Sequence, residues 1–132
     1  MMNKWDKKIL LTAAILGAIT IMIGAFGAHG LKKLVDANAV ASFETGVRYQ
    51  MYHVITLLVL GWANLPWTSK KWIFRFFLLG ILLFSGSIYL LALKDYLPFS
   101  TTFLGPITPL GGLVLIAGWI FLAVFIFRNK TT

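Results

Sequence analysis

The chain has 132 residues, 59% of them hydrophobic and only 12% charged, against roughly 25% charged in a soluble domain. Its mean hydropathy of +0.86 points to lipid as the solvent. A net charge of +8 would suit nucleic acid in a soluble protein. Here the bases stand in short clusters at the ends of apolar runs, as in membrane proteins, so no nucleic-acid partner is expected. With no cysteine the chain has no disulfide, no thiolate metal site and no lipidated cysteine.

Four apolar runs of about 20 residues each would cross a ~30 Å hydrocarbon core, and they consume most of the chain. The expected fold is an all-α membrane protein, a four-transmembrane-helix antiparallel bundle in one domain, with spans near residues 9–28, 47–65, 72–93 and 107–127. The basic start Met1–Lys8 and the small residues Ala25–Ala28 imitate a secretory signal. The run Ile9–Ala28 is longer than an ordinary signal core, which predicts a retained first span.

In the first span Ala13, Gly17, Thr20, Gly24 and Gly27 form one stripe of small residues, which lets a neighbouring backbone approach closely. His29 follows where the apolar run meets polar surroundings. Leu31–Phe43 is too polar to span and reads as a short interfacial helix between spans one and two. Asp36 or Asn38 would cap a helix running on into the second span.

The first turns of span two carry the densest polar cluster: Glu44, Arg48 and Tyr52 on one side, Tyr49, His53 and Thr56 on the next, with Gln50 beyond. An ionisable group at membrane depth costs about 2.5–3.5 kcal/mol on insertion scales, so such groups face the bundle or water. Glu44 and Arg48 stand four apart, as a helical ion pair requires. Asn64-Leu65-Pro66 ends the span.

Trp67–Arg75 is read as a tight connection rich in tryptophan and bases. Span three then carries Gly80, Ser87 and Lys94 on one face, with Asp95 beyond. In Gly105–Gly112, Thr108 and Pro109 suit a helix cap and first turn. Gly111 and Gly118 share a face of span four. Lys and Arg number eight on the side of the termini against four on the other, which makes both termini cytoplasmic.

The blocks Gly24–Lys32, Arg48–His53, Phe84–Leu91 and Leu104–Gly112 resemble those of domain-of-unknown-function family 423. These are small bacterial inner-membrane proteins related to the eukaryotic transmembrane protein 256. The resemblance implies four spans, no cleaved signal and a multi-pass place in the bacterial cytoplasmic membrane. It brings no catalytic residues.

The functional expectation is one polar cluster, His29, Glu44, Arg48, Tyr49, His53 and Lys94, at the outer end and roofed by Pro106–Gly112. Arg48 and Lys94 would receive a phosphate, and Tyr49, Tyr52 and Tyr89 suit headgroup depth. This points to a structural or binding role toward membrane lipids, with an anionic lipid or amphiphile at the outer interface. The competing structural account has Arg48 neutralising Glu44 and Lys94 neutralising Asp95.

Three other readings use the same residues. His29, Glu44 and His53 could serve proton coupling in an oligomeric transporter or channel, although the inner halves of the spans lack charges. His29 and His53 could hold a haem or metal if they met. Ser85, Ser87 and His53 supply hydrolase residue types without a nucleophile motif. No enzyme, cofactor or soluble substrate is expected. The small-residue stripes on spans one, three and four suggest a homo-oligomer.

Overall fold

The computed structural model describes residues 1–131, and among them all regular structure is helical. Four long helices follow one another: α1 (Lys4–Ala28), α2 (Ala37–Trp62), α3 (Trp67–Ala92) and α4 (Leu104–Arg128). Each has 25 or 26 residues, about 37–39 Å at ~1.5 Å per residue. Three of them, α1, α3 and α4, are long and apolar enough to cross a membrane. Helix α2 has the length, but Glu44, Arg48, Gln50 and His53 lower its apolarity.

Helix ends follow local chemistry. Asn3 caps α1 by accepting from the backbone N–H groups of Trp5 and Asp6 at 2.9 and 2.8 Å. Asp36 caps α2, accepting from the Ala39 N–H at 2.8 Å. The interfacial helix expected over Leu31–Phe43 is reduced to one 3-10 turn, Leu31–Lys33, because the Asp36 cap starts α2 at Ala37.

Two further boundaries move. Trp67–Arg75 is the start of α3 and not a connection, which shortens the link from α2 to residues 63–66. Thr108 does not cap α4, which begins at Leu104 and carries Pro109 inside it. The missing N–H of Pro109 leaves the Gly105 carbonyl without its helical donor.

The helices run up and down, so α1 packs on α2, α2 on α3 and α3 on α4. Both termini lie at one end, called here the terminal end; the turns 29–36 and 93–103 form the loop end. An apolar core of Ile9, Ala13, Leu57, Ile73, Phe77 and Leu115 fills the terminal half. A second, around Leu31, Val40, Phe43 and Ala92, lies at the loop end.

Polarity is inverted relative to a soluble protein. Ile15 and Ile19 of α1, Ile55 and Val59 of α2, Leu79 and Leu82 of α3, and Ile116 and Ile120 of α4 are exposed, whereas Thr20, Gln50, His53, Lys70, Ser85 and Ser87 are buried. Such a surface suits a hydrocarbon solvent.

The small-residue stripes serve contacts within the chain. A Cβ at Gly17 or Gly24 would touch Val54 or Val47 of α2, and one at Gly27 would strike the Phe43 ring at 2.8 Å. On α4, a Cβ at Gly111 would run into the backbone of Leu83 and Phe84, and one at Gly118 would meet Phe77 at 2.8 Å. The glycines of the stripes on α1 and α4 are thus used in contacts inside one copy.

At the terminal end Lys70, 2% exposed, makes the one ion pair among the described residues, with Asp6 at 2.7 Å. Trp5 and Trp67 stack beside it, ring centroids 4.3 Å apart. One of the bases of this end is therefore a clasp between α1 and α3.

Gly111 supplies the test of the α3–α4 contact. Gly111→Ala forces backbone apart and should cost about 1–3 kcal/mol, the usual range for overpacking. Gly105→Ala, with nothing within 4 Å of the added carbon, should be neutral or stabilising. Thermal unfolding in mild detergent compares the two; equal melting temperatures would contradict the packing described.

Candidate functional site

The polar groups of the helical interior are tied between helices by several separate hydrogen-bond groups. Thr20 donates to the Leu16 carbonyl at 2.6 Å and accepts from the Gln50 amide nitrogen at 2.8 Å. The Gln50 amide oxygen accepts from the Tyr89 hydroxyl at 2.7 Å. One side chain of α2 thereby ties α1 to α3. Ser85 donates to the Gly46 carbonyl at 2.7 Å, and Gly46 is where α2 lies against Tyr89. Ser87 shares a 2.6 Å bond with Thr108, which joins α3 to α4. No buried side-chain nitrogen or oxygen among the described residues lacks a partner.

His53 belongs to one of these groups. Its Nε2 accepts from the Trp119 indole N–H at 3.0 Å, so Nδ1 carries the proton it gives to the Tyr49 carbonyl at 2.6 Å. Both ring nitrogens are engaged, and the imidazole bridges α2 to α4 in its neutral form. Binding a haem iron or a metal through this ring would require breaking one of those bonds. Among the described residues no group of three or more His, Asp or Glu is gathered as a metal would need.

The six residues expected as one cluster are spread out. His29 ends α1 and is exposed. His53 lies 16 residues beyond the start of α2, about 24 Å along the helix at ~1.5 Å per residue. The two histidines therefore sit at different depths. The expectation that they meet rested on a second span starting near residue 47.

Glu44 and Arg48 make no ion pair: the guanidinium donates instead to the Thr45 hydroxyl at 3.3 Å. Tyr49 is exposed and packs its ring against Tyr52 and Phe84. Lys94 is exposed and forms no ion pair with Asp95.

What the loop end does contain is a groove of about 950 Å³, of which Lys94 alone among the six is a wall. It opens between the first turns of α2 and α4. Its floor is α3, through Ile88, Leu91 and Ala92. Asn38, Ser42 and Thr45 line one side, and Gly105, Thr108 and Pro109 the other. Lys33, Asp36, Lys94 and Asp95 form the rim. Of the Pro106–Gly112 segment, expected as the roof of the six-residue cluster, Thr108 and Pro109 line this groove instead.

The volume lies in the range of small-molecule sites, about 300–1,000 Å³. A charged rim stands above an apolar floor. Between His53 and the ion pair of the buried Lys70 with Asp6, the core is built of the apolar side chains of Phe77, Ile73, Leu57, Ala13 and Ile9.

Sequence reasoning missed Gln50, Tyr89 and Ser85 as residues that organise the helical interior, whereas Asp36 was one of the two caps it named. The sequence marks Gln50 only as a polar residue beyond the span-two cluster and Tyr89 only as a ring suited to headgroup depth, and nothing in it pairs Gln50 with Thr20 thirty positions away.

Comparison with known proteins adds a family context. The family described as protein of unknown function (DUF423) matches residues 23–112, a stretch that contains every residue of the groove. A UPF0382 membrane protein of Staphylococcus haemolyticus is 40% identical over 119 residues, covering 86% of this chain and 93% of its own. That of Haemophilus influenzae is 37% identical over 130 residues, covering 94% and 97%. The UPF0382 inner membrane protein YgdD of Escherichia coli K12 is 38% identical over 124 residues, covering 92% and 91%. No solved structure matches.

The Gln50 bridge yields a measurable coupling. Gln50→Leu strands the Tyr89 hydroxyl and should cost about 1–3 kcal/mol, the price of one unsatisfied buried group. The double variant Gln50→Leu/Tyr89→Phe should cost less than the sum of the singles, by about 0.6–1.7 kcal/mol as for bonds between membrane helices. Strict additivity in a double-mutant cycle of detergent unfolding would show that the bond carries no stability.

Proposed function

The chain belongs to the DUF423 family of membrane proteins, and on that footing we propose that it crosses the membrane four times and holds an amphiphile, a lipid headgroup with its chains, in the loop-end groove on the outer face. The role is one of binding and structure, without catalysis. The observation that carries it is the groove itself, charged at the rim and apolar at the floor.

Several features support α2 as the fourth span. It has 26 residues, packs between α1 and α3, exposes Ile55, Val59 and Trp62, and satisfies Gln50 and His53 internally. The excess of bases at the terminal end supports placing that end in the cytoplasm. Lys4 and Lys8 lie over the Trp5 ring, and Arg75 over Trp72, as anchors at headgroup depth would.

Two experiments test this. The chain has no native cysteine, so Ala37→Cys and Ser69→Cys can be labelled singly in intact cells. An impermeant thiol reagent should reach position 37 and spare 69; the reverse would invert the orientation. Ser42→Trp places an indole in the groove from an exposed wall position. In native mass spectrometry it should lower co-purified phospholipid about tenfold, as the loss of roughly 1.4 kcal/mol of binding would. Adducts equal to those of the wild type, in a variant that melts normally, would overturn the binding site.

A further inference from the structure

The charges on the groove rim are mixed in sign and unpaired with each other. Lys33 and Lys94 bring ammonium groups, Asp36 and Asp95 bring carboxylates, and no lysine–aspartate pair among these four reaches salt-bridge distance. Asp36 gives one oxygen to its helix cap and keeps the other free. The carboxylate of Asp95 makes no hydrogen bond.

A ligand that is simply anionic would face two carboxylates, and a simple cation two ammonium groups. A zwitterion with a phosphate and an amine suits both signs at once. The kind of amine follows from the acceptors. Besides the carboxylates, the groove wall includes Gly105, whose carbonyl has lost its helical donor to Pro109. Carboxylates and a spare carbonyl reward a primary ammonium, which has three N–H donors. A quaternary ammonium has none, and it is recognised by aromatic cages, whereas no aromatic side chain lines this groove.

Resting on the amphiphile reading above, we propose that the groove selects a phosphoethanolamine headgroup, its phosphate on Lys33 and Lys94 and its ammonium on Asp95, Asp36 and the Gly105 carbonyl. The apolar floor of Ile88, Leu91 and Ala92 assigns the source to a membrane lipid, whose glycerol and first methylenes it covers. This replaces the anionic headgroup expected from Arg48 and Lys94, because Arg48 is turned onto Thr45 and the rim carries as many carboxylates as ammonium groups.

The test uses the full chain, delipidated in mild detergent and titrated in native mass spectrometry. Phosphatidylethanolamine, phosphatidylglycerol and phosphatidylcholine of identical chains are the probes, with free phosphoethanolamine as the soluble one. The ethanolamine lipid should half-saturate at a concentration about tenfold below the other two, the worth of one charge-assisted contact. Asp95→Asn, at an exposed site outside the helix caps, should erase that preference while leaving phosphatidylglycerol binding equal or stronger. Lys94→Gln should weaken the ethanolamine and glycerol lipids alike.

Equal binding of all three lipids, or an Asp95→Asn variant with the preference intact, would overturn this inference and leave the amphiphile site standing. Failure of every lipid to bind would overturn both. Free phosphoethanolamine held as tightly as the lipid would overturn the assignment of the ligand to the bilayer.

Discussion

Gln50 gives a hydrogen bond to Thr20 of α1 and takes one from Tyr89 of α3, and inside a bilayer no water would replace either. That requirement orders much else. With Gln50 turned inward, the Gly46 turn of α2 is pressed on Tyr89, the Ser85 hydroxyl reaches the Gly46 carbonyl, and Phe43 falls against Gly27. The same rotation directs Ile55 and Val59 outward. A helix that looks too polar to span is thereby given an apolar outside and a satisfied inside.

The groove follows from how α2 and α4 are held. Deep in the molecule His53 and Trp119 join them, and Phe77 of α3 packs against both rings. Gly111 and Gly118 bring α4 tightly onto α3 rather than onto α2. Toward the loop end nothing of comparable size bridges α2 and α4, so the first turns of each stand apart over the floor of α3. The rim charges stay free of one another because Asp36 is engaged at a helix cap and Lys94 and Asp95 are neighbours in a short 3-10 turn.

Much of the fold was legible in the sequence. Apolar run length marks α1, α3 and α4, Asp36 was one of two named caps, and Pro66 ends the interval after α2. The stripe from Ala13 to Gly27 does face a neighbouring helix. Less legible was anything that depends on where a helix starts. A continuous α2 from Ala37 places His53 16 residues from the helix start, roughly 24 Å at ~1.5 Å per residue, and takes it away from His29. Charge spacing also misled: Glu44 and Arg48 stand four apart, yet an exposed guanidinium with a nearer hydroxyl bonds to Thr45. Exposed pairs of that kind gain little, so spacing alone does not decide them. The Thr20–Gln50–Tyr89 contact needs three helices at once, and no local pattern announces it.

The central claim is that α2 lies within the bilayer with its polar groups turned inward. A spin-label accessibility scan over residues 51–62, in liposomes, addresses it most directly. The account predicts oxygen collision maxima at Ile55, Val59 and Trp62, minima at His53, Leu57 and Gly61, and little access of a water-soluble nickel chelate to Ile55 or Val59. Free access of the chelate to those two positions would mean that α2 lies in water, and would contradict the account.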